Sequence, residues 1–310
     1  MSAKPVSVII VSYNVCDLLA ECLVSVLGSA DDVPCDVTVV DNVSGDGTVA
    51  MLRDRFPTVR LIANEDNVGF AAANNQGLRG AIHSPYVLLL NPDAVVRPGA
   101  VAALLDAMYG NEDIGILGPR IVNPDGTLQS GPLFFPTLTS TMLGTSAGSR
   151  RRRQPPRSGI AEADWVLGAC MMVRQDLIRE IGFMDEGYFL YGEEKDWCFR
   201  AKQAGWRVGV LETTEVVHYG GQSTNQRAPE SYRAFVDSQV RFYERFYPRS
   251  HTRAFLGTTL VQAGVRRVIA RALAMVDARR RDEWRGRSLT YAAGSRRAWE
   301  HLVGRGKGDA

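Results

Sequence analysis

The segment Tyr86-Val87-Leu88-Leu89-Leu90-Asn91-Pro92-Asp93-Ala94-Val95-Val96 constrains this chain more than any other. Four consecutive apolar residues, Val87 to Leu90, suit a strand covered on both faces, the environment found in the middle of a parallel sheet. Pro92 ends the pairing, because it has no N–H to give to a ladder and it biases Asn91 away from helical geometry. Asp93 is then presented at the carboxyl end of a central strand, the edge where open α/β sheets hold their ligands. Asn-Pro-Asp is also good turn chemistry, and taken alone it more often marks a turn.

The preceding residues supply the rest of such a sheet. Val6 to Val11 reads as a second apolar strand, ending at Ser12-Tyr13-Asn14. A helix follows, with Asp17 as its cap, Leu18, Leu19, Cys22, Leu23, Val26 and Leu27 at helical spacing, and Gly28 at its close. Val37 to Val40 is the next strand and runs into Asp41-Asn42-Val43-Ser44-Gly45-Asp46-Gly47-Thr48. A helix over about Thr48 to Phe56 and a strand over Val59 to Ile62 complete a βαβ rhythm. Asp41 and Asp93 therefore fall on one edge of one sheet. The segment from Asn64 to Gly77 is a polar loop entering a helix of small residues, whose N-terminus suits a phosphate. Its alanines pack on the sheet, while Asn74 is an amide that must find partners in either a ligand or the protein. Pro98 opens a further helix, and Ile114 to Leu117 is a strand.

Residues 123–160 break the rhythm. They are rich in Gly, Ser, Thr and Pro and contain Arg150 to Arg153 followed by Gln154-Pro155-Pro156-Arg157, a run that is either simply solvated or attracted to a diphosphate or lipid headgroup. Order returns with a strand over Asp164 to Val173, in which Gly168-Ala169 permits close approach of a ligand. The stretch from Phe183 to Arg200 presses aromatic and apolar residues against Glu193, Glu194 and Asp196. Desolvated there, the acids become more basic; placed in the first turn of a helix, they also complement its dipole. Trp206 to Leu211 is another strand, and Val216-Val217-His218 places a histidine before the turn Gly220-Gly221-Gln222-Ser223, where it is a candidate metal ligand.

From about Pro229 the pattern is helical. Val261, Val265, Val268, Ile269, Ala272, Met275 and Val276 form one apolar face, flanked by Arg266, Arg267 and Arg271. Such a helix lies on a membrane, covers the sheet domain or pairs with a second copy of the chain. Charge bears on the choice: residues 261–310 carry 12 Lys and Arg against 5 Asp and Glu, the preceding 260 residues 24 against 29. A basic tail on an acidic body without a basic groove points to an anionic surface and away from nucleic acid. The five cysteines include no Cys-x-x-Cys pair, which suits reduced thiols of a cytosolic protein. A strand pattern begins within a few residues of Met1, and no apolar run approaches bilayer length, so neither a signal peptide nor a membrane-spanning helix is expected. No strand is followed by Gly-x-Gly-x-x-Gly, which argues against a dinucleotide oxidoreductase, and no glycine-rich basic loop near the N-terminus is present to receive a triphosphate, as a sugar nucleotidyltransferase requires.

Taken in order, the motifs Val-Ser-Tyr-Asn, Asp-Asn-x-Ser-x-Asp-Gly-Thr, Asn-x-Gly-Phe-Ala-x-Ala-Asn-x-x-Gly, Leu-Leu-Asn-Pro-Asp, Trp-x-x-Gly-Ala, Tyr-Phe-Leu-Tyr-x-Glu-Glu-x-Asp-Trp-Cys-x-Arg and His-x-x-Gly-x-Ser resemble family 2 of the glycosyltransferases, most closely its bacterial rhamnosyltransferase branch. The resemblance covers roughly residues 5–225. It implies a GT-A (nucleotide-diphospho-sugar transferase) α/β fold, with a mostly parallel central sheet flanked by helices and a helical C-terminal extension. Residues 1–227 would form the catalytic domain, its nucleotide-binding half ending near 120 and its acceptor half spanning about 121–227, with the basic extension over 228–310. The implied reaction is an inverting transfer of a sugar, L-rhamnose from dTDP-L-rhamnose or a sugar carried on UDP or GDP, to a glycan or polyprenyl-diphosphate-linked acceptor. It would take place in the cytoplasm, at the inner face of the membrane.

Residue by residue, Asp41 matches the acid that contacts the base, and Tyr13, Asn14, Asn42, Asn67 and Asn74 match positions around the nucleoside. Asn91 and Asp93 stand where the family commonly has Asp-x-Asp. The first acid is absent, so a Mg2+ or Mn2+ ion would rest on Asp93 helped by His218, or the chain would be an inactive scaffold of polysaccharide assembly. Glu194 falls on the catalytic aspartate of the family's Glu-Asp pair and Glu193 on its neighbour, which leaves the choice of base between them open. The chemistry suits these residues: a divalent ion on hard oxygen ligands neutralises the departing diphosphate, and a carboxylate on the far side of the sugar activates the acceptor hydroxyl.

Overall fold

The structure, a computed structural model, describes residues 6–28, 33–143, 159–221 and 228–304. The Arg150 to Arg153 run with its Gln154-Pro155-Pro156-Arg157 sequel, and Gln222-Ser223, lie outside these residues. The chain divides into two compact units, one formed by residues 1–134, 150–189 and 193–223, the other by 135–149, 190–192 and 224–310.

The first unit is a sheet covered by helices. In chain order it comprises β1 (Val6–Ser12), α1 (Cys16–Gly28), β2 (Cys35–Asp41), α2 (Thr48–Arg55), β3 (Arg60–Ala63), α3 (Phe70–Gly80), β4 (Tyr86–Leu90), β5 (Ala94–Val96), α4 (Ala100–Tyr109), β6 (Ile114–Val122) and β7 (Leu128–Ser130). After α5 (Leu138–Leu143), which belongs to the second unit, come β8 (Ile160–Ala163), β9 (Cys170–Arg174), α6 (Gln175–Ile181), α7 (Glu193–Gln203) and β10 (Arg207–His218). Strand order is β3-β2-β1-β4-β9-β6-β10-β5, with β7 on β6 and β8 on β10. The β3-β2-β1-β4 half is parallel; β9 enters antiparallel to both β4 and β6, and β10 runs parallel to β6.

Alternation along the strands explains the two layers of helix. Val6, Val8 and Ile10 of β1 join the large core with Leu19, Leu23 and Val26 of α1 and Leu104 of α4, whereas Val11 of β1 and Val40 of β2 pack with Ala73 of α3 on the opposite face. All five residues of β4 are buried, as its unbroken apolar run requires.

Three local readings change. The strand expected over Asp164 to Val173 starts only at Cys170, because Leu90 pairs with Cys170 and the earlier residues instead hook onto Leu133, whose carbonyl accepts the N–H groups of Asp164 and Trp165. The strand expected over Trp206 to Leu211 continues through an irregularity between Leu211 and Glu215 as far as His218. Asp17 lies in the first turn of α1, but the N–H of Cys16 is met by the Asp46 carboxylate at 2.8 Å.

The second unit is helical: α5, α8 (Ala228–Phe246), α9 (Arg249–Val276), a 3-10 turn over Ala278–Arg280 and α10 (Arg281–Leu302). Its core is Val236 and Val240 of α8, Leu256 of α9 and Ala298 of α10, ringed by Tyr232, Phe235, Phe255 and Leu260. Among the described residues no helix is long and apolar enough to cross a membrane.

Candidate active site

Register places the polar residues. Ser12 pairs with Asp41, and Ile10 with Leu90, so the carboxyl ends of β1, β2 and β4 form one edge. β10 ends at the same edge, where His218 pairs with Ala94 next to Asp93. β9 runs the other way and begins there, which brings the Gly168-Ala169 turn to Asn91: the Asn91 N–H donates to the Ala169 carbonyl at 2.9 Å.

At the β1/β2 end the Asp41 side chain is almost wholly buried, at 1% exposure. Its Oδ2 accepts the Ser44 N–H at 2.9 Å, while Oδ1 and the Ser12 hydroxyl are buried with no partner. Leaving such atoms unpaired costs about 1–3 kcal/mol each, which a ligand group would recover. Asn42 is fully engaged: its Nδ2 donates to Asn67 Oδ1 at 2.9 Å, and its Oδ1 accepts from Asn64 Nδ2 and the Val68 N–H. It ties the 64–69 loop to the end of β2, so Asn42 and Asn67 shape this wall through each other. Asn14 Oδ1 accepts the Gly45 N–H at 2.7 Å, and its own N–H donates to Ser44 Oγ, fixing the turn after β2. Tyr13, just before it, is half-buried. Within that turn Val43 has φ 66°, a left-handed conformation that is costly for a β-branched residue. Asn74 is buried on α3 and donates to the Phe70 carbonyl one turn back, at 2.9 Å.

The second cluster holds Asn91, Asp93 and His218. His218 Nε2 is 3.2 Å from Asp93 Oδ1 and 3.2 Å from Asn91 Nδ2. His218 Nδ1 is 2.6 Å from Gln129 Oε1, and Gln129 Nε2 donates to Asn123 Oδ1 and the His218 carbonyl. Those two acceptors fix the amide, so Oε1 faces the ring and Nδ1 carries the hydrogen. The Nε2 lone pair then accepts from Asn91 Nδ2, with Asp93 Oδ1 at the same distance. Asn91 Oδ1 is buried without a partner beside them. No group of three His, Cys, Asp or Glu gathers into a metal cage among the described residues. One carboxylate, one imidazole and one amide oxygen nevertheless suit a Mg2+ or Mn2+ ion that also takes oxygens from a diphosphate and water.

The third cluster opens α7. Glu193 and Glu194 are both buried, and Oε2 of Glu193 has no partner. Burial, reinforced by the charge of Glu194, holds the Glu193 carboxyl well above the usual range. Lys195 is buried beside them, and burial brings its pKa down to about 8 against the pull of the neighbouring acids. Gly168 packs against Glu194: a Cβ there would sit 3.6 Å from its Cγ and 3.8 Å from its Cδ. Asp196 has a different task. Fully buried, it accepts from Arg200 Nε at 2.7 Å and from the Tyr188 hydroxyl at 3.2 Å, while Arg200 also donates to the Ile181 and Phe183 carbonyls. It anchors α7 to the loop before it.

Sequence reading passed over three residues. Ser12 was visible as a hydroxyl ending an apolar strand. Gln129 sits in a weak three-residue strand and carries no signal. Asn75 looked like its neighbour Asn74, yet its amide spans a long range in sequence, donating to the Met184 carbonyl and Glu186 and accepting the Met184 N–H.

The chain is similar to known proteins over most of its length. The sequence profile described as Glycosyl transferase family 2 matches residues 7–182. The chain is 32% identical over 249 residues to N-acetylglucosaminyl-diphospho-decaprenol L-rhamnosyltransferase of Mycobacterium tuberculosis, covering 73% of this chain and 80% of that protein. It is 30% identical over 168 residues to Rhamnosyltransferase WbbL of Escherichia coli, covering 52% of this chain and 62% of that one. Among solved structures, mannosyltransferase PcManGT from Pyrobaculum calidifontis, in complex with GDP-Man and Mn2+, superimposes with a TM-score of 0.59 over 97% of this chain and 88% of its own, at 15% identity.

Proposed function

This chain belongs to glycosyl transferase family 2, and we propose that it transfers L-rhamnose from dTDP-L-rhamnose to a hydroxyl of a polyprenyl-diphosphate-linked glycan, with inversion at the sugar carbon. It has the GT-A fold and is a glycosyltransferase. The observation that carries the finer reading is the likeness to the mycobacterial enzyme, whose name gives both a rhamnosyl group and a lipid-linked acceptor, over most of both chains.

The donor lies along the edge formed by β1, β2 and β4. The unpartnered Asp41 Oδ1 accepts the N3–H of a thymine ring, a donor that uracil shares, and the Ser12 hydroxyl is available to the nucleoside. Asp93 and His218, with Asn91 Oδ1, hold the divalent ion; when bound, it neutralises charge on the departing diphosphate. Glu194 is the base. Glu194 aligns with the position of the family's base, and the raised proton affinity of Glu193 suits a division of roles within the pair. Attack from the Glu194 side, opposite the diphosphate, inverts the sugar carbon.

The same acceptor brings the protein to the inner face of a membrane, and the surface of α9 supports this. Val261, Val265, Val268, Ile269, Met275 and Val276 are each more than half exposed, while Leu256, Thr259, Ala263 and Ala270 on the other side of the helix are buried. At helical spacing the exposed stripe is bordered by Arg253 and Arg271 on one edge and Arg266 on the other, all exposed, the pattern of an interfacial helix on anionic lipid.

Nucleoside diphosphate release from a panel of dTDP-, UDP- and GDP-sugars, with and without Mn2+ and with a polyprenyl-diphosphate N-acetylglucosamine acceptor, tests the reading. Acceptor-stimulated release from dTDP-L-rhamnose above the other donors is expected. Preference for a UDP- or GDP-sugar overturns the donor assignment, and no release from any donor leaves an inactive scaffold.

A further inference from the structure

We propose that the helical unit carries a saccharide-binding cleft, which takes a sugar ring of the acceptor glycan. A cleft of about 370 Å3 opens in this unit, within the range of about 300–1,000 Å3 that small-molecule sites span. Tyr232 and Phe235 of α8 form one wall, their rings stacked at 6.1 Å and 22°. Tyr191 meets Phe235 edge-on at 6.1 Å, Tyr291 comes from α10, and Arg266 comes from α9. Hydroxyls of Ser231 and Thr290 complete the lining.

Two backbone features mark the cleft as built. Gly294 of α10 is buried, and a Cβ there would overlap the ring of Tyr232, so the absence of a side chain seats that ring against the helix. Tyr191 has φ 69°, a left-handed conformation that costs a bulky residue about 1–3 kcal/mol and persists where surrounding structure holds it. Both features position an aromatic ring of the same cleft.

The lining selects a ligand with an apolar face and a polar rim. Aromatic rings present negative faces that receive the weakly positive C–H face of a pyranose, and hydroxyls with a guanidinium match its ring of hydroxyl groups. A prenyl chain has no use for the arginine or the hydroxyls. A nucleoside diphosphate calls for more cationic charge than one arginine supplies. In the chain only Gly192 separates Tyr191 from Glu193. Arg266 also borders the exposed apolar stripe of α9, which suits a glycan whose lipid end lies in the membrane.

The assignment to the acceptor rests on the transfer proposed above; the binding of a sugar does not. Saturation-transfer NMR with methyl glycosides of N-acetylglucosamine, glucose and rhamnose is run on the full chain and on Arg266→Ala and Tyr291→Leu, each first checked for an unchanged thermal melt. At least one glycoside is expected to bind the parent and to lose about tenfold in affinity in both variants. In transfer assays the acceptor KM rises by a similar factor while acceptor-independent release of nucleoside diphosphate is unchanged. A glycoside that binds in this variant-sensitive manner to a protein without transferase activity keeps the cleft and removes the transfer reading. Failure of every glycoside to bind, equal binding by parent and variants, or displacement of the glycoside by geranyl phosphate overturns the saccharide assignment.

Discussion

His218 and Asp93 face each other at 3.2 Å where β10 meets the start of β5, and Gln129, 2.6 Å behind the imidazole, leaves the lone pair on Nε2, the nitrogen beside Asp93 and Asn91. An ion held by Asp93 and His218 therefore depends on a residue that never touches it. Gln129→Leu is expected to lower Mn2+ affinity about 10–100-fold, the usual effect of removing the partner that orients a ligating histidine. Asp93→Asn removes the charge and should abolish Mn2+-dependent nucleoside diphosphate binding, with His218→Ala between the two. Calorimetric titration with and without Mn2+ measures all three. Parent-like Mn2+ dependence in Asp93→Asn would remove this site from the metal assignment.

Val43 is held at φ 66° in the turn that follows Asp41. Its side chain is exposed, so no packing compensates the strain. Val43→Asn, which tolerates that conformation, is expected to stabilise the protein by about 1 kcal/mol in chemical denaturation. A neutral or destabilising result means that the valine side chain does work in the turn that its exposure does not reveal.

The parallel half of the sheet was legible because its signals are local. An apolar run of strand length, a following polar turn and a helical period recur three times before Asp93, and register then fixes Ser12, Asp41 and Asn91 on one edge. The region from 160 to 218 was less legible. β8 is Ile160-Ala161-Glu162-Ala163, too short and too weakly alternating to be distinguished from loop, and it exists because β10 offers it an antiparallel partner. The same non-local pairing shortens β9 and lengthens β10. In the site, charge and motif order pointed to Asp41, Asp93, His218 and the two glutamates. They did not reveal that the amides of Asn42, Asn67 and Asn74 bond within the protein.

The apolar stripe on α9 predicts association with anionic bilayers. Val265→Asp and Ile269→Asp change exposed positions, so they leave the helical core intact while adding charge to the stripe. Sedimentation with vesicles containing anionic phospholipid at low salt is expected to pellet the parent and leave the double variant in the supernatant. Each arginine at the rim contributes about 1 kcal/mol near such a surface, so the binding weakens as salt rises. Equal pelleting of both proteins assigns the stripe to something other than lipid.

Glu194→Gln should leave donor affinity nearly unchanged and cut turnover by about two to four powers of ten, the size of a general-base contribution. Glu193→Gln should do much less, because burial and the charge of Glu194 favour the neutral form of the Glu193 carboxyl, which the amide resembles. Donor titration paired with single-turnover transfer separates the two effects. A dead Glu193→Gln enzyme alongside an active Glu194→Gln enzyme would move the base by one residue.

Glu193 also leaves a mark on stability that is independent of turnover. Its carboxyl titrates from the ordinary value of 4.5 in the unfolded chain and well above that in the folded one, driven by burial and by the charge of Glu194. Between those two values the native state holds a proton that the unfolded state has released. The slope of stability against pH follows the protons bound by the unfolded state minus those bound by the native state, which here is negative, so this group makes the fold less stable as pH rises above 4.5. Glu193→Gln removes the term. The variant should melt higher than the parent near pH 7.5, and the gap should narrow as pH falls toward about 5. Thermal melts across that range measure it. A gap that stays constant with pH, or widens toward acid, would mean that Glu193 is ionised in the folded protein, and the division of roles between the two glutamates would then reverse.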